Sequence, residues 1–279
     1  GCGKKDEALE AARAVIRLVP DQQEMKEWYV NFLMDMDRGD EVVEMLQGFI
    51  ERYPDDNTLR MRLAEVHHQL KHEDETIAAL LDYLEHSEKS EADYLNTGRT
   101  LARYDFNNEA TSVLLEMLNQ WPESMEGREA VALHLSRKSY LQLELAWKHY
   151  EWLAERCDLD TLLRLASALV AADRPDRAYD LMNTRRAEFI SDFRFLTQLF
   201  DVVGALDKSD ELLEIGLARV ERAASFEEME MATSALVYES KKQNAVNGWI
   251  DKLAGKTDAR SLWLTASLHL NNGNAAAAD

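Results

Sequence analysis

A marker residue recurs along this chain at a nearly constant interval, and that interval limits what the chain can fold into more than any other feature. Small or apolar residues that follow a turn and an acidic stretch fall at Ala8, Val42, Thr76, Ala110, Ala146, Ala178, Leu212, Ala245 and Ala278, with successive gaps of 34, 34, 34, 36, 32, 34, 33 and 33. Loop lengths drift freely between unrelated helices, so a period this regular predicts one supersecondary unit repeated end to end. The prolines keep the same beat. Pro20, Pro54 and Pro122 are separated by 34 and then by twice 34 residues, and each closes an apolar stretch that proline cannot continue as helix.

Within that period the composition favours helix. Only 4 prolines and 11 glycines punctuate 279 residues, and 46% of the chain is hydrophobic, enough for a sizeable core. The fold class predicted is therefore all-α, with first helices near 23–36, 57–70, 91–104, 125–137, 159–172, 192–205 and 226–240, each followed by a partner helix. These make seven complete pairs, with a lone second helix in residues 1–20 and another beginning at Ala275. The pattern predicts one continuous unit across residues 1–279 and reads as a fragment of a longer array. Each pair carries an apolar face, such as Val113, Leu114, Met117 and Leu118 opposite Leu95 and Leu101, that only stacking on neighbours can bury.

The repeat holding Tyr94, Gly98, Ala110 and Pro122 resembles the tetratricopeptide repeat, whose pattern runs from an aromatic through Leu-Gly, a turn and Ala to a closing Pro. Elsewhere Val30, Ala64 and Ala166 stand where that family prefers glycine. The resemblance implies an α-solenoid, a right-handed superhelix whose first helices line a concave groove. Placed on the family's groove positions, the stripe includes Glu24, Glu27, Asn31 and Met34, then Thr58, Met61, Glu65 and His68, then Ala92, Leu95, Arg99 and Ala102. It continues through Glu126, Glu129, Asp160, Ser167, Arg194, Asp201, Glu227, Glu230 and Ser234 to Arg260, Trp263 and Ser267.

Carboxylates dominate that stripe, and the net charge of the chain is −20. Such a field repels nucleic acid and anionic lipid and attracts cations. No run of apolar residues is long enough to cross a membrane, so direct membrane insertion is not expected. The Lys and Arg by which chaperone-binding relatives hold a peptide carboxylate are missing. An acidic stripe interrupted by Met34, Met61, Leu95 and Trp263 instead suits a basic, partly apolar protein partner. The function expected is a non-catalytic interaction scaffold in a multiprotein complex. Tetratricopeptide arms of bacterial exopolysaccharide exporters supply a second expectation, a periplasmic guide for a cationic, Pel-type polymer. A third comes from Gly1, Cys2 and Gly3, which resemble the processed end of a bacterial lipoprotein and would place lipid on Cys2. Both point to the periplasm or envelope.

Candidate chemistry is sparse. His67, His68, His72 and His86 cluster, and the one-turn spacing of His68 and His72 fits a metal, but no cysteine joins them, so surface histidines are expected. Glu126/Glu129 and Glu227/Glu230 could mimic acid–base couples, yet an open groove neither excludes water nor shifts a carboxylate. No enzyme activity, cofactor or metal is expected. The six tryptophans fall among Leu and Ala at helical spacing and are expected in the core.

Overall fold

A computed structural model of the chain describes residues 7, 10–15, 18, 23–137 and 141–272; the side chains of Gln23, Glu24 and Lys26 are not described. Every regular element among them is helical: α1 (Gln23–Asp35), α2 (Gly39–Arg52), α3 (Asn57–Gln69), α4 (Glu73–His86), α5 (Glu91–Arg103), α6 (Asn107–Gln120), α7 (Met125–Leu135), α8 (Leu143–Ala154), α9 (Leu159–Ala171), α10 (Pro175–Asn183), the single turn α11 (Arg186–Phe189), α12 (Phe193–Ala205), α13 (Ser209–Arg222), α14 (Phe226–Lys242), α15 (Val246–Leu253) and α16 (Ala259–Asn271). All seven first helices predicted from the period are present within a few residues. None of the described helices is long and apolar enough to cross a membrane.

The period is written most regularly in the caps. First helices start on an oxygen-bearing side chain that accepts from a free amide of the first turn, at Asp56, Ser90, Ser124, Asp158, Asp192, Ser225 and Asp258. These positions lie 34 residues apart four times in succession after the first, then 33 twice, and each cap stabilises its helix by about 1 kcal/mol. Ser90 and Asp93 complete a reciprocal capping box.

First helices end in a second recurrent device. Asp37, Lys71, Asp105, Asp173, Asp207 and Asn244 all sit in the left-handed region, with φ between 51° and 65°. At Asp105 its amide donates to the Ala102 carbonyl at 3.2 Å while the Phe106 amide donates to the Leu101 carbonyl at 3.0 Å, the bonding of a Schellman turn. The same paired bonds recur at Lys71/His72, Asp173/Arg174 and Asn244/Ala245. The residue after the left-handed one opens the second helix at once, so two residues reverse the chain. Only one glycine, Gly255, takes a positive φ among the described residues; apart from Lys71, these turns use Asp or Asn, which tolerate this conformation better than other side chains.

The chain divides into two compact units, residues 1–123 and 124–279. In the first, α1 to α6 form three hairpins, and in the second α7/α8, α9/α10, α12/α13 and α14/α15 form four, followed by α16. Each second helix packs on its own first helix and, within a unit, on the next one: α2 on α3, α4 on α5, α10 on α12 and α13 on α14. The marker side chains point into the core, and Val42, Thr76, Ala110, Ala146, Ala178 and Leu212 are completely buried. At Gly98 a Cβ would stand 2.6 Å from Leu114 Cγ, so the glycine lets that hairpin close. Ala64, Ala132 and Ala166, also fully buried, do the same with a methyl. Ala8 and Ala278 lie outside the described residues. Ala245 is only half-buried and Val246 takes the buried place, a one-residue slip where the period shortens to 33.

The second unit holds two irregularities. α7 ends at Leu135 and α8 begins only at Leu143, a wider spacing than in the other pairs, and it falls where the marker gap widens to 36 residues. The second helix of the next pair breaks at Thr184, and Arg185 turns back to donate to the carbonyls of Ala154 (3.0 Å) and Cys157 (3.1 Å). It thereby caps the preceding second helix from one repeat away.

Asp105→Gly should hold or raise the urea midpoint, because glycine enters the left-handed region without steric cost. Asp105→Val should lower stability by about 1–2 kcal/mol. Equal midpoints for the two variants would show that this turn does not depend on its backbone conformation.

Candidate functional site

The stripe predicted along the first helices emerges in two grooves, one in each unit. In the first, a cavity of about 520 Å³ opens between α1, α2 and α3, and Glu27, Asn31, Thr58, Met61 and Glu65 all line it. Thr58, Met61 and Glu65 follow helical spacing on one face of α3, and Asn31 lies one turn beyond Glu27 on α1. The floor is apolar, from Val30, Leu46, Phe49 and Leu59.

The central polar group of this groove is a cation, Arg62, which sequence reasoning missed. Its guanidinium donates to Glu65 Oε2 at 2.7 Å and to Asn31 Oδ1 at 2.7 Å, while its Nε is buried without a hydrogen bond. Glu65 is therefore compensated. Other stripe residues take different places. Leu95 is buried in the core, and its neighbour Asn96 lines the cavity instead. Arg99 is exposed on that helix. His68 is stacked flat on Tyr104, 3.6 Å between ring centroids, and so bridges one hairpin to the next. The Glu24 side chain and Cys2 lie outside the described residues.

The first helices of the second unit repeat the compensation. Arg164 of α9 holds Glu129 of α7 through two bonds of 2.9 and 3.1 Å, and Arg194 of α12 donates to Asp160 of α9 at 2.8 Å. Gln198 donates to Ser167 at 3.1 Å on the same pair of helices. With Asn31–Arg62, these contacts join residues 31 to 35 positions apart, one repeat in each case. The arginines were legible as a cation one repeat after a stripe carboxylate. Glu126 is exposed on the first turn of α7.

Asp201 keeps part of its surface in solvent, yet desolvation by the surrounding protein raises its carboxyl pKa, Arg219 opposing and Glu239 adding to the rise. Arg219 is buried over the rings of Phe200 (4.7 Å) and Phe193 (5.8 Å), with Nε and Nη1 unpartnered. Burial lowers its pKa, and Asp201 opposes that.

The second groove, of about 450 Å³, lies between α14 and α16 and is lined by Glu230, Ser234, Tyr238, Trp263, Ser267 and Leu270 among others. Phe226 meets Trp263 edge to face at 5.8 Å. These two helices expose Phe226, Met231, Tyr238, Leu262, Trp263 and Leu270, a concentration of apolar surface found on no other pair among the described helices. Arg260, also assigned to the stripe, turns away and donates to the carbonyls of Glu221 and Ala223 at the end of α13.

Two-residue left-handed turns, buried small residues at each crossing and polar contacts spaced by one repeat together decide the architecture. The helix pairs are tetratricopeptide-like. No protein-family model matches the sequence, and no curated protein matches it. Solved structures similar to it include a tetratricopeptide repeat protein from Parabacteroides merdae (12% identity, 88% of this chain and 98% of that chain covered, TM-score 0.42). PilF of Pseudomonas aeruginosa (16%, 68% and 89%, 0.38) and yeast Tom70 (12%, 90% and 62%, 0.41) are further examples. No ligand or partner follows from likeness at this level.

The tetratricopeptide-like packing corrects two expectations about side chains. The histidines are not all at the surface: His67 is buried, with Nδ1 3.4 Å from Nδ1 of His72, while His86 pairs with Asp82 at 3.1 Å. Among the described residues no group of three or more His, Cys, Asp or Glu is placed to hold a metal. Of the tryptophans only Trp249 is fully buried. Trp152 lies between Arg128 (4.3 Å) and Arg156 (4.5 Å), and Arg177 covers Trp147 at 4.6 Å. Cationic neighbours let these rings stay at the surface of the second helices.

His149 supplies a measurable consequence. It is buried with both ring nitrogens unpartnered, and burial, aided by Lys148 and Arg128, lowers its pKa from 6.5 to about 4. The unfolded chain takes up the proton first. Stability is therefore complete above pH 6.5 and drains as the pH falls toward 4, by up to about 3 kcal/mol for a shift of this size. His149→Leu should flatten that part of the stability–pH profile measured by denaturant titration; an unchanged slope would assign the acid sensitivity to other groups.

Proposed function

We propose that this chain is a non-catalytic interaction scaffold that binds a protein partner along the stripe of its first helices and so helps assemble a multiprotein complex. The observation that carries this reading is coincidence. Stripe residues chosen by repeat position alone, Glu27, Asn31, Met61 and Glu65 in one unit and Glu230 and Trp263 in the other, line the two open grooves. Both grooves pair an apolar floor or rim with hydrogen-bonding side chains, as a peptide-binding surface requires.

A guide for a cationic polymer calls for a long track of uncompensated carboxylates. Arginines neutralise Glu65, Glu129 and Asp160, which favours local recognition of a protein over continuous passage of a polymer. The net charge of −20 weighs against nucleic acid.

Photo-crosslinking in the native cell tests the reading. A crosslinker at Met61 or Ser234 should give discrete protein adducts, and one at Glu144, far exposed on a second helix, should give none. Adducts from Glu144 alone would move the binding surface to the second helices, and adducts to polysaccharide instead of protein would favour the polymer guide.

A further inference from the structure

We infer that the α14–α16 groove is a docking site for a basic peptide segment of a partner protein, one that places a Lys or Arg against Glu227, Glu230 and Trp263 and buries a neighbouring aliphatic or aromatic side chain between Tyr238 and Leu270. This rests on the scaffold reading and specifies what one of its grooves takes.

The charge pattern singles out this place. Glu65, Glu129 and Asp160 are each held by an arginine, whereas Glu227 and Glu230 have no ion-pair partner among the described residues. Both are exposed: Glu230 lines the groove with Trp263, and Glu227 stands one turn before it on α14, next in sequence to the Phe226 that meets Trp263. A carboxylate next to an open indole attracts a cation twice over, by charge and by the negative face of the ring. Farther along, Tyr238 is 67% and Leu270 58% exposed, so an apolar anchor lying between them would remove a large area from water.

The groove also contains an unmet hydrogen bond. Thr233 is buried and lines the cavity, yet its Oγ1 has no partner. A peptide backbone laid along the groove brings the N–H and C=O groups that would satisfy it, and Ser234 and Asn271 flank the same path. At the other end the cation Lys241 is turned to Asn271 at 3.3 Å, leaving the two glutamates to set the sign of the ligand. A second copy of this chain, with its own net charge of −20, is a poor match for that sign.

A random dodecapeptide display library selected on the purified chain tests the inference. Peptides bearing Lys or Arg within a few residues of a bulky apolar side chain should be enriched. Trp263→Ala, or Glu227→Gln with Glu230→Gln, should weaken a winning peptide by about two- to fivefold, the loss expected when an exposed cation–π contact or ion pair is removed. Raised salt should weaken it too. Thr233→Val, nearly the same in volume, should preserve the fold and weaken the peptide several-fold.

Selection of acidic or uncharged peptides, or of basic peptides indifferent to the Trp263 and glutamate variants, would overturn the inference. If the winners are instead lost on Met61→Lys, the scaffold reading stands and this occupant is wrong. If nothing is enriched on either groove, both fall. Concentration-dependent self-association abolished by Trp263→Ala would replace the peptide with a second copy of the chain.

Discussion

The two-residue reversal that ends six of the seven paired first helices is the constraint on which the rest of this structure depends. A left-handed residue satisfies the last carbonyls and sends the chain straight into the second helix, so the two helices cross within about two turns of the reversal. At that crossing only a small side chain, or a glycine as at Gly98, lets them approach closely enough to bury their apolar faces. The repeat length follows. Two helices of about four turns plus this turn and a capped re-entry consume close to 34 residues, and changing any part shifts every later cap.

Stacking then decides which polar groups can exist. First helices of consecutive pairs lie beside one another, so a carboxylate on one meets whatever stands one repeat later on the next. Glu129 meets Arg164 and Asp160 meets Arg194. Such exposed pairs contribute little to stability, roughly 0–1 kcal/mol each. Their larger effect is on recognition, because they cancel charge along a face that the composition makes acidic. Glu227 and Glu230, which have no ion-pair partner among the described residues, become conspicuous to an incoming cation.

The hairpins were legible in the sequence because their determinants are local and repeated: a turn, an acidic first turn, a closing proline. Reading the caps at Asp56, Ser90, Ser124, Asp158 and Asp192 would have fixed the register even better, since these are 34 apart without exception. The site was legible only in part. Glu27, Asn31, Met61 and Glu65 could be placed from repeat position, but Leu95, assigned to the groove, lies in the core, because one step along a helix turns a side chain by about 100° and separates a groove position from a core position. Arg62 was passed over for a different reason. Its role depends on Asn31, one repeat away, and no inspection of a single helix reveals it.

The tryptophans and His67 make the same point about tertiary context. Helical spacing among Leu and Ala says that Trp152 lies near the core, but not that two arginines will cover the ring and keep it at the surface. Polarity says that His67 belongs outside, but not that the turn ending α3 will fold His72 back over it. Buried groups with unsatisfied nitrogens, such as His149 and Arg219, carry this furthest. Each costs free energy where it stands, and each persists because a repeat draws its stability from the interfaces with its neighbours as well as from its own core. A stack can therefore hold an imperfect pair of helices in place, and it is at such imperfect pairs, where packing alone does not dictate the residue, that side chains are free to be chosen for what they bind.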